Sequence, residues 1–414
     1  MRRGSREIEK GGSGSRRRDK HEGRRDTSAL LGGPLRTRHG DGRPADGVPS
    51  ATVLGQSRHS DGTIYLGKDD WHIQYCITDR NETRLEPMAL SDPTNCRPDR
   101  NNCREHLPCA MMQIFSLKLA YTDPPVDDGP IQVYGYLAVR DLLEPLLNYV
   151  FYRSRDDPLT LEQLYLNHDG SHVQNHNWQL FYDDSCSAKK SDLVLNGSDM
   201  TGLAKGHWGS VMQMAGPKRG IDMQSGVLLE FDMKIKKGEQ ESEDLQLIDG
   251  ASYFSELSTP SCKVFTARIE GDFGAVDISS ALLHNAVEAT IDIGISQVDD
   301  NNNIDLLLTS SVSGLPEEIH LFRGLMSKSS GVKRFVVAVV SGTCLDLKFK
   351  IGQTGLDDGV DCSCSFKAAE HGCSSEELAL VFATISVKVH WSTLIHGNCW
   401  NTQMQFDFHR SFES

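Results

Sequence analysis

Strict alternation of apolar and polar residues, repeated in six separate runs, limits what this chain can fold into more than any other feature. Phe115, Leu117 and Leu119 begin it, and Ile131, Val133, Leu137 and Val139 follow. It returns in Val227, Leu229, Phe231, Met233 and Ile235, and in Ile291, Ile293 and Ile295. The last two runs are Leu345, Leu347, Phe349 and Ile351, then Ile385, Val387, Val389 and Trp391. A period of two sends successive side chains to opposite faces, so each run reads as a strand with one face buried and one in water. Phe335 to Val340 has no polar interruption and is rich in β-branched residues, which predicts a central strand covered on both faces.

Turn signals separate the runs, among them Asp127-Asp128-Gly129-Pro130, Gly216-Pro217, Asp249-Gly250 and Asp299 to Asn303. A parallel α/β fold needs amphipathic helices between its strands. Only Asp141 to Phe151 and Ile278 to Ala289 offer one, and the second runs straight into a strand and reads as half helix, half strand. The expectation is therefore a mainly β chain: an antiparallel β-sandwich-like domain of about ten strands in two face-to-face sheets, with few short helices.

Four stretches fall outside that rhythm. Residues 1–66 are rich in Gly, Ser, Arg and Pro without an apolar period, and read as a disordered basic leader. Residues 67–111 form an irregular segment, with disorder the preferred reading. Within the β-rich domain at 112–394, residues 166–205 break the alternation and read as an insert. Residues 395–414 are a polar tail.

Charge is divided unevenly along the chain. The 414 residues carry a net −14, yet residues 1–47 hold 13 of the 43 Lys and Arg and 7 of the 57 Asp and Glu, a balance of +6 that leaves −20 for the rest. An acidic body repels phosphates and anionic head groups, which argues against nucleic acid as a partner. The arginine runs at 16–18 and 24–25 lack aromatic neighbours on which a base could stack. A hydrophobic content of 38% and a mean hydropathy of −0.39 agree with part of the chain lying outside a packed core. No apolar run approaches the roughly 18 residues of a membrane span, and the amino terminus has no signal-peptide pattern. Location inside the cell, cytoplasmic or nuclear, is the expectation. Eleven cysteines, an odd number, then read as reduced thiols, and the sequons at Asn81 and Asn196 as chance.

The segments MQIFSLKLAYTDPP, IQVYGYLAVRDLLEPLLNYVFYRSRDDPLTL, GPKRGIDMQSGVLLEFDMKIKKGE and LIDGASYFSEL carry a family likeness. It continues through FTARIEGDFGAVDISSALLHNAVEATIDIGIS, LLLTSSVSGLPEEIHLF, KRFVVAVVSGTCLDLKFKIG and ISVKVHWSTL. Over residues 112–394 the chain resembles a plant family expanded in grasses, domain-of-unknown-function family 6598. The resemblance implies a mostly β domain without an assigned activity, substrate or cofactor. Some members accompany a ribosome-inactivating domain, which implies a stress or defence setting. The chain departs from the pattern at 166–205 and after Leu394.

Candidate sites are few. The Glu-Ala-x-Arg arrangement of ribosome-inactivating N-glycosidases begins at Glu288-Ala289-Thr290, but Ile291 replaces the arginine, leaving a solvent-facing glutamate at an element's edge as the plain reading. Cys362, Cys364, His371 and Cys373 supply enough donors for tetrahedral zinc, as do Cys96, Cys103, His106 and Cys109, though neither spacing is a paired knuckle. His168, His172 and His176 share one face only if that segment is helical. Asp299, Asn301, Asn303 and Asp305 imitate a calcium loop, but Ile304 replaces its glycine and Ser310 its final glutamate. Asp127-Asp128 and Asp156-Asp157 offer acidic pairs for one end of a sandwich. No hydrolase elbow, phosphate loop or dinucleotide fingerprint occurs. The first expectation is a non-catalytic interaction module with a protein partner, no cofactor and no catalytic residue. An accessory enzyme of hydrolase or N-glycosidase type and a calcium- or lipid-binding β-sandwich are the alternatives.

Overall fold

The chain is described from a computed structural model over residues 47–87, 106–123, 129–161, 211–296, 304–326, 331–353 and 360–396. It runs through a 3-10 turn (Thr63–Tyr65) and a short helix, α1 (Asp70–Gln74), to β1 (His106–Leu107), β2 (Cys109–Thr122), β3 (Ile131–Arg140), β4 (Asn148–Arg153) and β5 (Leu159–Leu161). Next come β6 (Val211–Met212), β7 (Ile221–Asp222), β8 (Val227–Ile235), β9 (Leu245–Phe254), β10 (Phe265–Glu270) and β11 (Gly274–Ser296). Four strands follow: β12 (Ile304–Val312), β13 (Ile319–Met326), β14 (Lys333–Val340) and β15 (Cys344–Gln353). The last are β16 (Val360–Lys367), β17 (Gly372–Ala379), β18 (Thr384–Ser392) and β19 (Ile395–His396). Every ladder between them is antiparallel. The mainly β, antiparallel expectation holds.

β11 organises the molecule. Its first half pairs with β2 and β10, and its second half with β14 and β18. The even-numbered Val276, Ile278 and Leu282 join a core shared with β3, β4, β8 and β9. The odd-numbered Ala281 and Leu283, with Val287, Ala289, Ile291 and Ile293 further on, join a second core shared with β12, β13, β15 and β16. Because alternate side chains leave opposite faces, the five-stranded sheet (β4-β3-β8-β9, with β5 on β3) covers one face of the long sheet. The four-stranded sheet (β13-β12-β15-β16) covers the other face, offset along β11. Between the two halves, Asn285 adopts φ 54° and the register with β2 shifts, so exposed His284 and Asn285 form a bulge.

This stacking corrects several expectations. Three sheets share two cores, where two sheets with one core were expected. Residues 278–289 are strand throughout, because cover on both faces removes the alternation that marks a strand. Residues 141–147 form a turn leading into β4, with no helix. Val336 to Val339 are buried on both faces as expected, but β14 is not central: among the described strands its ladder neighbour is β11 alone. Two of its outer N–H groups are met by side chains, Ala338 donating to Gln113 Oε1 (2.7 Å) and Val340 to Ser313 Oγ (2.8 Å). The tail boundary also moves, since β19 pairs with β1.

The largest correction concerns the leader and the segment after it. Residues 47–87 are packed on the outer face of the five-stranded sheet, where Ile64, Trp71, Tyr75 and Ile77 form a third core with Leu228 and Ala251. Fully burying side chains such as Ile64 and Ile77 contributes about 1.5–3 kcal/mol each toward the cost of ordering the segment. The remaining residues of the expected leader, the proposed insert at 166–205 and the tail beyond 396 lie outside the described residues.

Candidate functional site

The site grows from two strand edges. β9 ends the five-stranded sheet and β10 borders the long sheet, and residues 49–60 run along both as a strap. Arg268 in β10 donates its N–H to Pro49 O (2.8 Å) and accepts that of Ala51 (2.7 Å). In β9, Ala251 O accepts the Leu54 N–H (2.8 Å), and Val53 bridges Ser252. Ser57 closes the turn, its hydroxyl donating to Leu54 O (2.7 Å) and accepting the Ala251 N–H (3.1 Å). Gly250 lies beneath it at φ 141°, where a Cβ would stand 2.8 Å from Val53 Cγ1.

His59 carries the strap into a buried charged cluster. Its Nδ1 donates to Asp249 Oδ1 (2.8 Å), and its Nε2 lies 3.1 Å from Glu230 Oε1 and 3.0 Å from the Tyr136 hydroxyl. Tyr136 donates to Glu230 Oε1 (2.8 Å), and Arg140 Nε to Glu230 Oε2 (2.6 Å). The His59 and Ser60 N–H groups both reach the Asp249 carboxylate. Only 7% of the His59 side chain and 1% of each acid is exposed, so these charges interact with little solvent screening. Burial pulls the imidazole down, but hydrogen bonds to Asp249 and Glu230 outweigh it and set its pKa at about 9. Burial raises both acids and the imidazolium's hydrogen bonds more than reverse this, holding Glu230 and Asp249 below their usual range. Two anions, Glu230 and Asp249, therefore face two cations, Arg140 and His59. An imidazole that keeps its proton at neutral pH is a poor general base.

A second buried cluster lies at the end of β3. Arg219 clamps Asp141 with paired contacts of 2.7 and 2.8 Å and donates to Thr83 Oγ1 (3.1 Å). Glu144 accepts from the Thr83 hydroxyl and from the N–H groups of Arg84 and Leu85. Glu288 is 1% exposed, accepting from the Gly220 N–H and the Ser392 hydroxyl, each at 2.7 Å. It is not the solvent-facing edge residue that the sequence suggested. Nearby Asp222 is pushed up to about 6, by burial first and then by the charge of Asp141.

The other sequence candidates are not drawn together. Cys362 and Cys364 point from β16 into the second core, where burial pushes the Cys364 thiol up to about 12, away from the thiolate that zinc needs. Cys373 is exposed on β17, and the His371 ring lies tilted against that of His106, 5.0 Å between centroids. Among the described residues no three His, Cys, Asp or Glu side chains form a metal-holding group. Cys109 lies in the long sheet, whereas Cys96 and Cys103 lie outside the described residues. So do the histidines at 168, 172 and 176, Asp127-Asp128, and Asp299, Asn301 and Asn303. Asp305 is exposed on β12, Ser310 is buried in it, and Asp157 pairs with Arg153 at 3.1 Å.

Sequence reasoning missed His59, Tyr136, Arg140, Glu230 and Asp249. Arg140 and Glu230 stand at outward positions of apolar runs, where a charge ordinarily signals water. His59 sits in a Gly- and Ser-rich stretch with no pattern of its own.

Fold and cluster together define a mainly β, antiparallel, sandwich-like domain that grips a segment from outside its sheets. Two contiguous matches place it in a family. The family model described as Domain of unknown function (DUF6598) matches residues 111–167 and 190–389, more than half of the chain, and the chain belongs to that family. The curated proteins contain no match. Among solved structures the chain is similar to Human GIVD cytosolic phospholipase A2 at 8% identity, covering 70% of this chain and 31% of that one, with a TM-score of 0.22. The same human enzyme in complex with Methyl gamma-Linolenyl Fluorophosphonate matches at 8% identity over 69% and 33%, with a TM-score of 0.21. The chain spans about a third of the length of these structures, and at such TM-scores the likeness carries no argument. No helix among the described residues is long and apolar enough to cross a membrane.

Proposed function

We propose that the chain is a non-catalytic interaction module that engages a protein partner through the edge of β17. The observation that supports this reading is that β17 is the most exposed of the described edge strands, β13 and β16 being edges with more of their residues covered. The strap borders β9 and β10, and side chains meet the outer N–H groups of Ala338 and Val340 in β14. Among the described strands β17 pairs with β18 alone, and six of its eight residues are exposed. An edge strand presents unpaired N–H and C=O groups to which an extended segment can add. Glu376 and Glu377 lie there, so a second copy of β17 meets like charge and a basic or neutral segment does not. The charged state of His59 favours a holding role for the buried cluster over a hydrolase's general base. A stress or defence setting in plants, as the family resemblance implies, belongs to this proposal and selects the tissue for its test.

Neighbouring strand residues send their N–H groups in opposite directions, so proline at Ser375 or at Glu376 removes one donor from the free edge. The full chain is used as bait in extracts of stressed grass tissue beside Ser375→Pro and Glu376→Pro, with folding verified by amide protection in β11. The proposal expects one reproducible partner, lost with whichever proline faces outward. The same partner captured by all three proteins rejects β17, and no partner for a folded bait rejects the module.

A further inference from the structure

The strap occupies a groove that belongs to the domain and not to the strap. Its floor residues Tyr136, Arg140, Glu230, Asp249, Ala251 and Arg268 all lie within the family-matched residues, whereas 49–60 lie outside them. The groove has the parts of a peptide-recognition site. Two strand edges hold the backbone of an extended segment, as the contacts at Pro49, Ala51 and Leu54 demonstrate. Gly250 leaves room for the close approach of Val53 and Ser57. At the far end Arg140 reaches Glu230, and Asp249 is met by His59 and Ser60 of the strap. An occupant that covers both acids as the strap does without bringing a cation therefore leaves one negative charge uncompensated. An uncompensated buried charge is strongly unfavourable, and the occupant must supply a cation there.

We infer that this groove is a recognition site for an extended segment that sets a small apolar residue against β9 and a cationic side chain six positions later. Residues 49–60 are its occupant within the chain, and a partner polypeptide carrying the same pattern competes with them. The inference rests on the reading of the domain as a protein-interaction module but uses a different edge from β17. Ser375→Pro therefore leaves groove binding unchanged, and failure at one edge is read separately from failure at the other. An occupant tethered to its own groove has an effective concentration on the millimolar scale, so a competitor reaches it only when the strap is weakened or the competitor is abundant.

The test uses the full chain and a labelled synthetic peptide of residues 47–61. In the intact chain, Val53→Asp with His59→Ala loosens the strap. The expected result is peptide binding at least tenfold tighter to this double variant than to the wild type, and a tenfold or greater loss when the peptide itself carries His59→Ala. A folded double variant that ignores the peptide, or binds the His59→Ala peptide equally well, overturns the inference. Should the double variant fail to fold, wild-type chain is followed by hydrogen exchange with several millimolar unlabelled peptide. Faster exchange at residues 49–60, absent with a scrambled peptide, supports competition for the groove, and unchanged exchange overturns it.

Discussion

His59 Nδ1 lies 2.8 Å from Asp249 Oδ1 across 190 positions of chain. That contact fastens an irregular segment to β9, and Glu230 secures the opposite side of the ring at 3.1 Å. Removing the imidazole leaves two buried acids with one guanidinium, a loss of about 3–5 kcal/mol by analogy with other broken buried pairs. In His59→Ala, exchange of the amides in residues 49–60 is expected to rise at least ~100-fold, the counterpart of about 2.7 kcal/mol. Unchanged exchange there contradicts a fastening role.

The pH dependence of the strap follows from the same residue. The folded pKa of His59, about 9, is raised above the unfolded 6.5. Its stabilisation is therefore complete below about 6.5 and lost as pH rises through 9, about 3 kcal/mol in all. Glu230 and Asp249 are held low and stay ionised across that window. The stability difference between wild type and His59→Gln, measured by denaturant unfolding at fixed pH values, is expected to shrink from pH 6.5 to 9.5. A constant difference argues that the imidazole is neutral in the fold.

Asp222 has a different window. Its pKa of about 6 lies above the unfolded 3.8, so its protonated form suits the fold. That favourable contribution is present below about 3.8 and lost as pH rises through 6. Asp222→Asn keeps a neutral side chain, and its stability relative to wild type is expected to increase by about 2.4 kcal/mol between pH 4 and 7. Parallel pH profiles count against a raised Asp222.

The Asp141–Arg219 pair joins the end of β3 to the loop before β7. Arg219→Leu strands Asp141 in a buried site and is expected to lower stability by about 3–5 kcal/mol, whereas loss of the exposed Arg153–Asp157 pair lowers it by about 0–1 kcal/mol. Denaturant unfolding of both variants checks the contrast, and similar small losses contradict it.

Gly135 in β3 has φ 104°, and a Cβ there would stand 2.1 Å from the Asp232 carbonyl oxygen. Gly135→Ala is expected to destabilise by about 2–4 kcal/mol through strain and backbone crowding. A thermal midpoint equal to that of wild type is the contrary result.

How much of this was legible in the sequence depended on how each residue is covered. β15 and β18 are half-covered and their alternation announced them, whereas β2, β3 and β8 alternate in sequence although further layers of chain bury stretches of both their faces. The middle of β11 is covered on both faces, so Ala281 to Leu283 read as a continuous apolar run and suggested a helix. The strap has no periodicity because its backbone bonds to two different strands and its anchor is one histidine. Arg140, Glu230 and Glu288 occupy positions where a strand pattern places water, and only another layer of chain makes them buried. The cysteines near 362–373 are close in sequence, but β16 and β17 lie in different sheets and direct them to different surroundings.

The most direct test of the strap as a segment gripped by the domain's charged cluster is a double-mutant cycle between His59 and Asp249. His59→Ala, Asp249→Ala and the double variant are compared by exchange of the amides in residues 49–60. Residues joined by a buried charged hydrogen bond are expected to show a coupling of about 2 kcal/mol or more, so the double variant loses far less than the sum of the singles. Losses that add to within about 0.5 kcal/mol contradict the account, because His59 and Asp249 would then act independently.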